Sequence, residues 1–234
     1  MTQKSVTELK KEAGEFAVTH LVRSGMLLGL GFGSTAIHAV NKVGELVQSG
    51  ELTGITAIAC ARETEDHARQ LGIPLVDFAP DTVIDLTIDG ADEVDPHLNL
   101  IKGGGGALTR EKVVATASKR EAIIVDESKL SEVLGTNWHI PIEVVPFGWQ
   151  TQIGFLRDLG AEPVRRTLKD GTPYLTDQHN YIIDANFGPI SDPYALGATL
   201  KARPGIVEHG LFLGLATDLV VASPDGISYK QKDA

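Results

Sequence analysis

Along the first half of the chain, segments whose apolar residues have helical spacing alternate with short apolar segments typical of strands. Leu9, Ala13, Phe16, Ala17 and Leu21 have helical spacing, and Ser5-Val6-Thr7-Glu8 before them fits a capping box. Further predicted helices run from the turn at 32–35 to about 48, over 63–71 and over about 107–120; predicted strands are 26–31, 55–60, 73–76, 83–88 and 122–126. Strands that alternate with helices favour a parallel sheet covered on both faces.

The pattern changes after about residue 136. The order becomes strand, helix, strand, strand, helix, strand, at 142–146, 149–159, 163–166, 181–185, a helix opened by Asp192-Pro193, and 206–212. This order predicts a small α+β insert. Residues 219–222 then return to the main sheet, and 230–234 are expected to fray. The predicted division is an α/β domain over 1–136, an insert over 137–212, and a return over 213–234.

Candidate chemistry concentrates in residues 89–112, DGADEVDPHLNLIKGGGGALTREK. Four consecutive glycines, Gly103 and Gly104 among them, carry a high entropic cost, which is justified where bare backbone approaches a ligand. Their N–H groups precede a helix, an arrangement suited to an anion. Lys102 supplies a cation there and Glu111 a potential base. The competing interpretations of Glu111 are a first-turn partner of the helix dipole and a member of an exposed i,i+4 pair. Lys102 precedes its glycines, so this is not a nucleotide-binding Walker A loop.

A second glycine turn, Gly29-Leu30-Gly31-Phe32-Gly33-Ser34-Thr35, follows a predicted strand. Its spacing fails the dinucleotide fingerprint. Gly33, Ser34 and Thr35 suit a single phosphate, but a tight turn with a serine or threonine cap is the competing interpretation. The glycine turn at 103–106 favours phosphate. By strand alternation, Phe32 is expected to pack with Leu28 and Leu30, away from the ligand.

The acidic residues Asp89, Asp92, Glu93 and Asp95 have three interpretations. They form a solvated turn, a divalent metal site, or contacts to an organic ligand; the neighbouring lysine and glycines favour the last. Their spacing does not fit an EF-hand, and the seven histidines contain no His-x-x-x-His pair. We therefore expect no metal and no cofactor. Lys129 follows a strand at the sheet edge where ligands bind, whereas Lys10 is either a solvated helix charge or a phosphate contact.

Composition and net charge disfavour some classes of binding partner. The formal net charge of −10 disfavours nucleic acid and anionic membranes, so a phosphorylated ligand needs a local cationic pocket. Cys60 is the only cysteine, and the sequence contains no apolar signal core or long apolar run. A cytoplasmic protein without membrane or nucleic-acid partners is expected.

Taken in order, these motifs resemble the ribose-5-phosphate isomerase type A family. The matching segments are G-x-G-x-G-S-T, D-G-A-D-E, K-G-G-G-G-A-L-x-R-E-K, D-E-S-K and P-G-I-V-E-H-G-L-F. The resemblance implies a Rossmann-like open sheet with an inserted ferredoxin-like lid, and commonly a homodimer. It also implies metal-free interconversion of ribose 5-phosphate and ribulose 5-phosphate.

The resemblance further implies a role for each site residue. Glu111 would move the proton between C2 and C1, and Lys102 would stabilise the enediolate oxygen. Asp89 and Asp92 would hold the sugar hydroxyls and help to open the ring. The phosphate would be held by Gly33, Ser34, Thr35 and Lys129, with Lys10 as a further contact.

Two segments depart from the family pattern. Phe32 stands where the family usually has threonine, and residues 59–63, ACARE, lack the usual hydroxyl-rich pattern. Both departures bear on rate and substrate range. Two other functions use this scaffold, a sugar-phosphate sensor and a coenzyme A transferase. Turnover of ribose 5-phosphate without added cofactor distinguishes an isomerase from both.

Overall fold

The computed structural model describes residues 4–232 and divides the chain into two compact units. The first unit contains residues up to 91, 110–129 and those from 214, and the second contains 92–109 and 130–213. This division differs from the predicted boundaries, because 92–109 groups with the second unit. In the described part of the chain, no helix is both long and apolar enough to cross a membrane.

Six helices lie in the described residues. They are α1 (Val6–Leu21), α2 (Ala36–Gln48), α3 (Arg62–Gln70), α4 (Leu108–Thr116), α5 (Gln150–Asp158) and α6 (Pro193–Lys201). The strands of the first unit are β1 (Leu27–Leu30), β2 (Thr56–Ala59), β3 (Leu86–Asp89), β6 (Glu121–Asp126), β12 (Asp218–Ser223) and β13 (Gly226–Gln231). Those of the second are β4 (Glu93–Val94), β5 (Leu100–Ile101), β7 (Ile140–Val144), β8 (Glu162–Arg165), β9 (Tyr181–Asn186), β10 (Ile206–His209) and β11 (Leu211–Phe212).

The first unit is an α/β fold around a six-stranded sheet in the order β13-β12-β6-β3-β1-β2. All neighbours pair in parallel except β12 and β13. One face is packed by α1 and α2 through an aliphatic core that includes Leu28 and Leu30. The other face carries a smaller cluster with Val114 of α4. The carboxyl ends of β1, β3 and β6 therefore meet at one edge of the sheet.

The second unit contains two antiparallel sheets. β7, α5, β8, β9, α6 and β10 follow one another along the chain, and their strands pair in the order β10-β7-β9-β8. The apolar core of this unit includes Ile142, Leu156 and Leu200. The second sheet is three-stranded, in the order β11-β5-β4. Asp92 directly precedes β4 and Lys102 directly follows β5, so both lie at the same end of this antiparallel pair.

Two of the three predicted N-terminal helix caps are confirmed, and one is wrong. Ser5 caps α1, with the capping box to Glu8 formed as predicted, and Asp192 caps α6 ahead of Pro193. Thr35 stands at the N-cap of α2, but its side chain makes no capping hydrogen bond and its backbone is helical. The predicted cap is wrong in this respect, because a residue in helical conformation cannot turn its own hydroxyl onto the following N–H groups.

Two predicted strands are also wrong. Residues 73–76 form only an isolated bridge, Ala57 to Leu75, because Pro74 has no N–H to continue the ladder. Residues 206–212 form two strands in different sheets, since the chain changes sheet at Gly210. There the Gly210 N–H donates to the Pro141 carbonyl at 2.7 Å.

Two chain segments end differently from expectation. The helix predicted to reach about 120 ends at Thr116, because the next residues bond to Ile84, with the Ile84 N–H donating to the Ala117 carbonyl at 2.8 Å. The predicted fraying from residue 230 is wrong for Lys230, which pairs with Leu219 in β13. Residues 233 and 234 lie outside the described part of the chain.

At the start of β12, the buried carboxylate of Asp218 is paired with the half-buried side chain of Arg120. Arg120 donates to both oxygens of Asp218, at 2.6 and 3.1 Å, and the Tyr229 hydroxyl donates to the same carboxylate at 2.6 Å. Burial raises the pKa of Asp218, but hydrogen bonds from Arg120, Tyr229 and Thr217 outweigh it, so this pKa lies below its usual range. The charged form of Asp218 is therefore part of the folded state.

We predict that Arg120→Met lowers the free energy of unfolding by roughly 2–4 kcal/mol at pH 7, since it leaves a buried carboxylate without its cation. Stability from a depressed carboxyl pKa is present above the unfolded value, about 3.9, and is lost as pH falls through the folded pKa. The difference between variant and wild type should therefore shrink from pH 7 towards pH 3. Urea denaturation at several pH values measures this.

The matched control is Lys119→Met, which removes a surface ion pair of 2.8 Å with Asp85. We expect that variant to lose less than about 1 kcal/mol. A pH-independent loss in Arg120→Met would contradict the role given to the Asp218 charge.

Candidate active site

The first glycine turn follows β1 along the chain and is hydrogen-bonded to the end of β3. The Asp89 carboxylate is buried and accepts N–H groups from Phe32 at 3.1 Å and Gly90 at 2.7 Å. A Cβ on residue 31 would lie 2.3 Å from Asp89 Oδ1, so only glycine permits this approach. Asp89, the last residue of β3, is thus fixed by backbone donors at the carboxyl edge of the sheet.

The same turn continues into a polar corner. The Lys10 ammonium donates to the Ser34 hydroxyl at 2.9 Å, so Lys10 of α1 reaches the turn that precedes α2. Of the two interpretations of Lys10, a purely solvated helix charge is therefore not the one that the structure supports. Thr35 directs no hydroxyl to a cap, and Gly33 has a φ of +109°, where side chains are disfavoured. A cation, two hydroxyls and a helix N-terminus lie together, which suits a phosphate.

Glu111 and Lys129 are the remaining predicted residues of the first unit. Glu111 lies in the first turn of α4 and is only 3% exposed. Lys129 ends a short 3-10 turn that follows β6 at the carboxyl edge of the sheet. The nearby Asp126 carboxylate accepts the Ser128 N–H at 3.1 Å, which fixes this turn.

In the second unit, Asp92 and the four-glycine turn form a connected group. The Gly104 N–H donates to Asp92 Oδ2 at 2.7 Å, and the Asp92 N–H donates to the Ile101 carbonyl at 2.9 Å. Lys102 directly precedes the glycines and is only 2% exposed, with its ammonium 5.5 Å from the centre of the Phe212 ring. A carboxylate, a buried cation and glycine backbone are therefore close together.

Two members of the acidic cluster have structural partners instead. Glu93 accepts N–H groups from Gly135, Asn137 and Trp138 at 2.9–3.2 Å. Asp95 accepts both the backbone and the side-chain N–H groups of Asn99. In the described residues, no three His, Cys, Asp or Glu side chains are placed to hold a metal ion together. Glu93 and Asp95 are therefore buried acceptors of N–H groups and do not form a solvated turn.

The expected packing of Phe32 is wrong. Leu28 and Leu30 belong to the core beneath α1 and α2, whereas Phe32 packs with Leu27 and Ile58 in the cluster on the opposite face. The strand ends at Leu30, so the turn breaks the alternation before residue 32. The ring is half-buried and also lines a pocket of about 660 Å³ between the turn and α3, together with Glu63, Thr64, Asp66, His67 and Gln70.

Sequence comparison places this arrangement in a family. A family model described as Ribose 5-phosphate isomerase A (phosphoriboisomerase A) matches residues 56–226. The chain belongs to the ribose 5-phosphate isomerase A family. A relative from Chloroflexus aurantiacus, named ribose-5-phosphate isomerase A, is 55% identical over 223 residues, which cover 95% of this chain and 93% of the relative. A relative of the same name from Desulfatibacillum aliphaticivorans is 54% identical and covers 94% and 95%.

Solved structures of ribose 5-phosphate isomerase A proteins and their relatives have the same fold. Ribose 5-phosphate isomerase from Plasmodium falciparum superimposes with a TM-score of 0.95 at 39% identity, covering 97% of this chain and 100% of that one. A D-ribose-5-phosphate isomerase in complex with phospho-erythronic acid gives 0.94 at 35% identity, covering 98% and 100%. The resemblance stated from the motifs is thereby confirmed at the level of the family and its fold.

We predict that Phe32→Thr lowers stability by about 1–2 kcal/mol and changes kcat of the isomerase less than about threefold. The half-buried ring loses packing, but the backbone N–H that binds Asp89 remains. Urea denaturation and steady-state kinetics measure both quantities. Phe32→Leu, which keeps an apolar side chain, should retain most of the stability; a kcat change of tenfold or more in Phe32→Thr would instead assign the ring to the substrate.

Proposed function

We propose that this isomerase interconverts D-ribose 5-phosphate and D-ribulose 5-phosphate through an enediolate, with Glu111 as the base. Glu111 takes the proton from C2 of the open-chain aldose and returns it to C1, while the hydroxyl proton passes from O2 to O1. The carbonyl thereby moves from C1 to C2 without oxidant or added water. The burial of two charged side chains, Glu111 and Lys102, in a chain of this family carries the proposal.

Burying charge is costly, so charged side chains at 2–3% exposure need a reason. A base shielded from water transfers its proton to substrate and not to solvent. A buried ammonium stabilises negative charge on the enediolate oxygen far more than an exposed one does. The pair matches what aldose–ketose isomerisation requires.

The other residues position the sugar phosphate. Gly33, Ser34, Thr35 and Lys10 hold the phosphate, and the contact of Lys10 with Ser34 supports this role. Lys129 adds a second cation. Asp89 and Asp92 bind sugar hydroxyls and assist ring opening. The backbone amides of Gly103 and Gly104 contact the sugar directly, because glycine has no side chain to keep it away. Holding the non-reacting phosphate fixes the reacting carbons beside the base.

The comparisons favour the isomerase over the sensor and the coenzyme A transferase. The resemblance also suggests a wider setting: a Rossmann-like domain with a ferredoxin-like lid, working as a metal-independent cytoplasmic homodimer in the non-oxidative pentose phosphate branch. The strand order β10-β7-β9-β8 supports the ferredoxin-like description. Light scattering gives the assembly state, and turnover after EDTA treatment tests the metal requirement.

Glu111→Gln should lower kcat for ribose 5-phosphate by at least about 10³-fold and keep substrate affinity within about tenfold, because the amide keeps size and loses basicity. A coupled assay for ribulose 5-phosphate and calorimetry with ribose 5-phosphate measure the two effects. Glu51→Gln, at an exposed glutamate after α2, is the control and should match wild type. Wild-type turnover in Glu111→Gln would refute the assignment of the base.

Lys102→Ala should lower kcat by roughly 10²–10³-fold, the usual cost of removing an oxyanion-stabilising group. Lys169→Ala, an exposed lysine of the same unit, should leave kcat unchanged. If KM alone rises in Lys102→Ala, the lysine contacts the substrate equally in its ground state, and another group stabilises the enediolate.

A further inference from the structure

The carbonyl groups of the four-glycine turn are held by side chains from a distant part of the second unit. Arg166 Nη1 donates to the carbonyls of Gly103 at 3.1 Å and Gly104 at 3.0 Å. The Tyr174 hydroxyl donates to the carbonyl of Gly105 at 3.1 Å. Three consecutive glycine carbonyls are thus bound by two side chains that the motif itself does not contain.

Arg166 is in turn held in place. Its Nε donates to Asp184 Oδ2 of β9 at 2.9 Å, and its Nη2 donates to the other carboxylate oxygen. His139 Nε2 lies 3.1 Å from Asp184 Oδ1. Burial raises the pKa of Asp184, but the hydrogen bonds from His139 and Arg166 outweigh it, so this carboxyl has a lowered pKa. A two-pronged arginine–carboxylate contact of this kind fixes the plane of the guanidinium.

Fixing these carbonyls also fixes the amides. In a trans peptide the C=O and the following N–H point in opposite directions. Holding the carbonyls of Gly103 and Gly104 on Arg166 therefore directs the N–H groups of Gly104 and Gly105 away from it. The Gly104 N–H is the group that donates to Asp92 Oδ2. One guanidinium thus controls both the turn and the orientation of Asp92.

Glycine makes this control necessary. Gly103 and Gly106 have φ values of +97° and +92°, and a run of glycines without outside contacts populates many backbone conformations. A mispositioning of about 1 Å in an active site can cost about 10²-fold in rate. The turn needs a fixed partner, and Arg166 beside it is largely shielded from solvent, with 14% of its side chain exposed.

We propose that Arg166 is a positioning residue for the isomerisation, which holds the Gly103–Gly106 turn and, through it, Asp92 in the geometry that the reaction requires. This inference rests on the proposed roles of Asp92 and the turn in the site. Arg166 touches no reacting atom in this assignment. Its effect passes through the backbone of the turn, and Asp184 acts on the turn only through Arg166.

The test compares kinetics and stability in a set of variants assayed well below their unfolding temperatures. Arg166→Met should lower kcat by about 10²-fold with KM for ribose 5-phosphate changed less than about threefold. Arg166→Lys keeps the positive charge but cannot make the two-pronged contact with Asp184, so its kcat should lie between those of Arg166→Met and wild type. Asp184→Asn should give an intermediate loss of about tenfold, because it releases the arginine without removing it.

The neighbouring arginine is the matched control. Arg165 stacks on the rings of Trp149 at 4.4 Å and Tyr181 at 5.5 Å, whereas the arginine hydrogen bonds to the described residues of the turn come from Arg166. Arg165→Met should cost comparable stability and leave kcat within about twofold. Equal kcat losses in the two methionine variants would reduce Arg166 to a structural role and overturn the proposal.

A double variant separates this inference from the proposed function. If Arg166 acts through Asp92, adding Arg166→Met to Asp92→Asn should lower kcat much less than it does in wild type. An inactive Asp92→Asn with wild-type kcat in Arg166→Met would refute the positioning role alone. Wild-type kcat in Asp92→Asn would refute the proposed role of Asp92, and full additivity of two large losses would show that Arg166 acts by another route.

Discussion

The structure of the first unit depends on how closely β1 and β3 approach at their carboxyl ends. The Asp89 carboxylate occupies the space where a side chain on residue 31 would lie, and it binds the backbone of Phe32 and Gly90. A buried carboxylate is tolerable only when donors surround it. The turn is therefore shaped by the need to satisfy Asp89, and that shape delivers Ser34 and Thr35 to the start of α2.

Local patterns predicted most of the fold because their causes are local. The capping box at Ser5 and the Asp192-Pro193 start depend on residues three or four apart, and both form as predicted. The failures occur where a distant partner decides. Residues 73–76 have the pattern of a strand but form only one isolated bridge. The turn after β1, and not the alternation along β1, determines on which face of the sheet Phe32 packs.

The same distinction applies to the candidate site. Lys102, Gly103, Gly104 and Glu111 could be selected as candidates because glycines, a lysine and a glutamate cluster within ten residues of sequence. Arg166 was not, because it lies 63 residues from Gly103 in a stretch of ordinary surface composition. Nothing in a single sequence links an arginine after one strand to the carbonyls of a distant turn. The pairing of β8 with β9 brings Arg166 beside Asp184, and this pairing joins segments far apart in the sequence.

The order of elements in the main sheet has a consequence for biosynthesis. β12 lies between β6 and β13, and it begins at Asp218, 92 positions after β6 ends at Asp126. Residues 130–213, which belong to the second unit, must be synthesised before β12 can pair with β6. A ribosome-bound nascent chain therefore presents β6 with an unpaired edge until β12, which ends at Ser223, has been synthesised, and during that interval this edge is open to pairing with other chains.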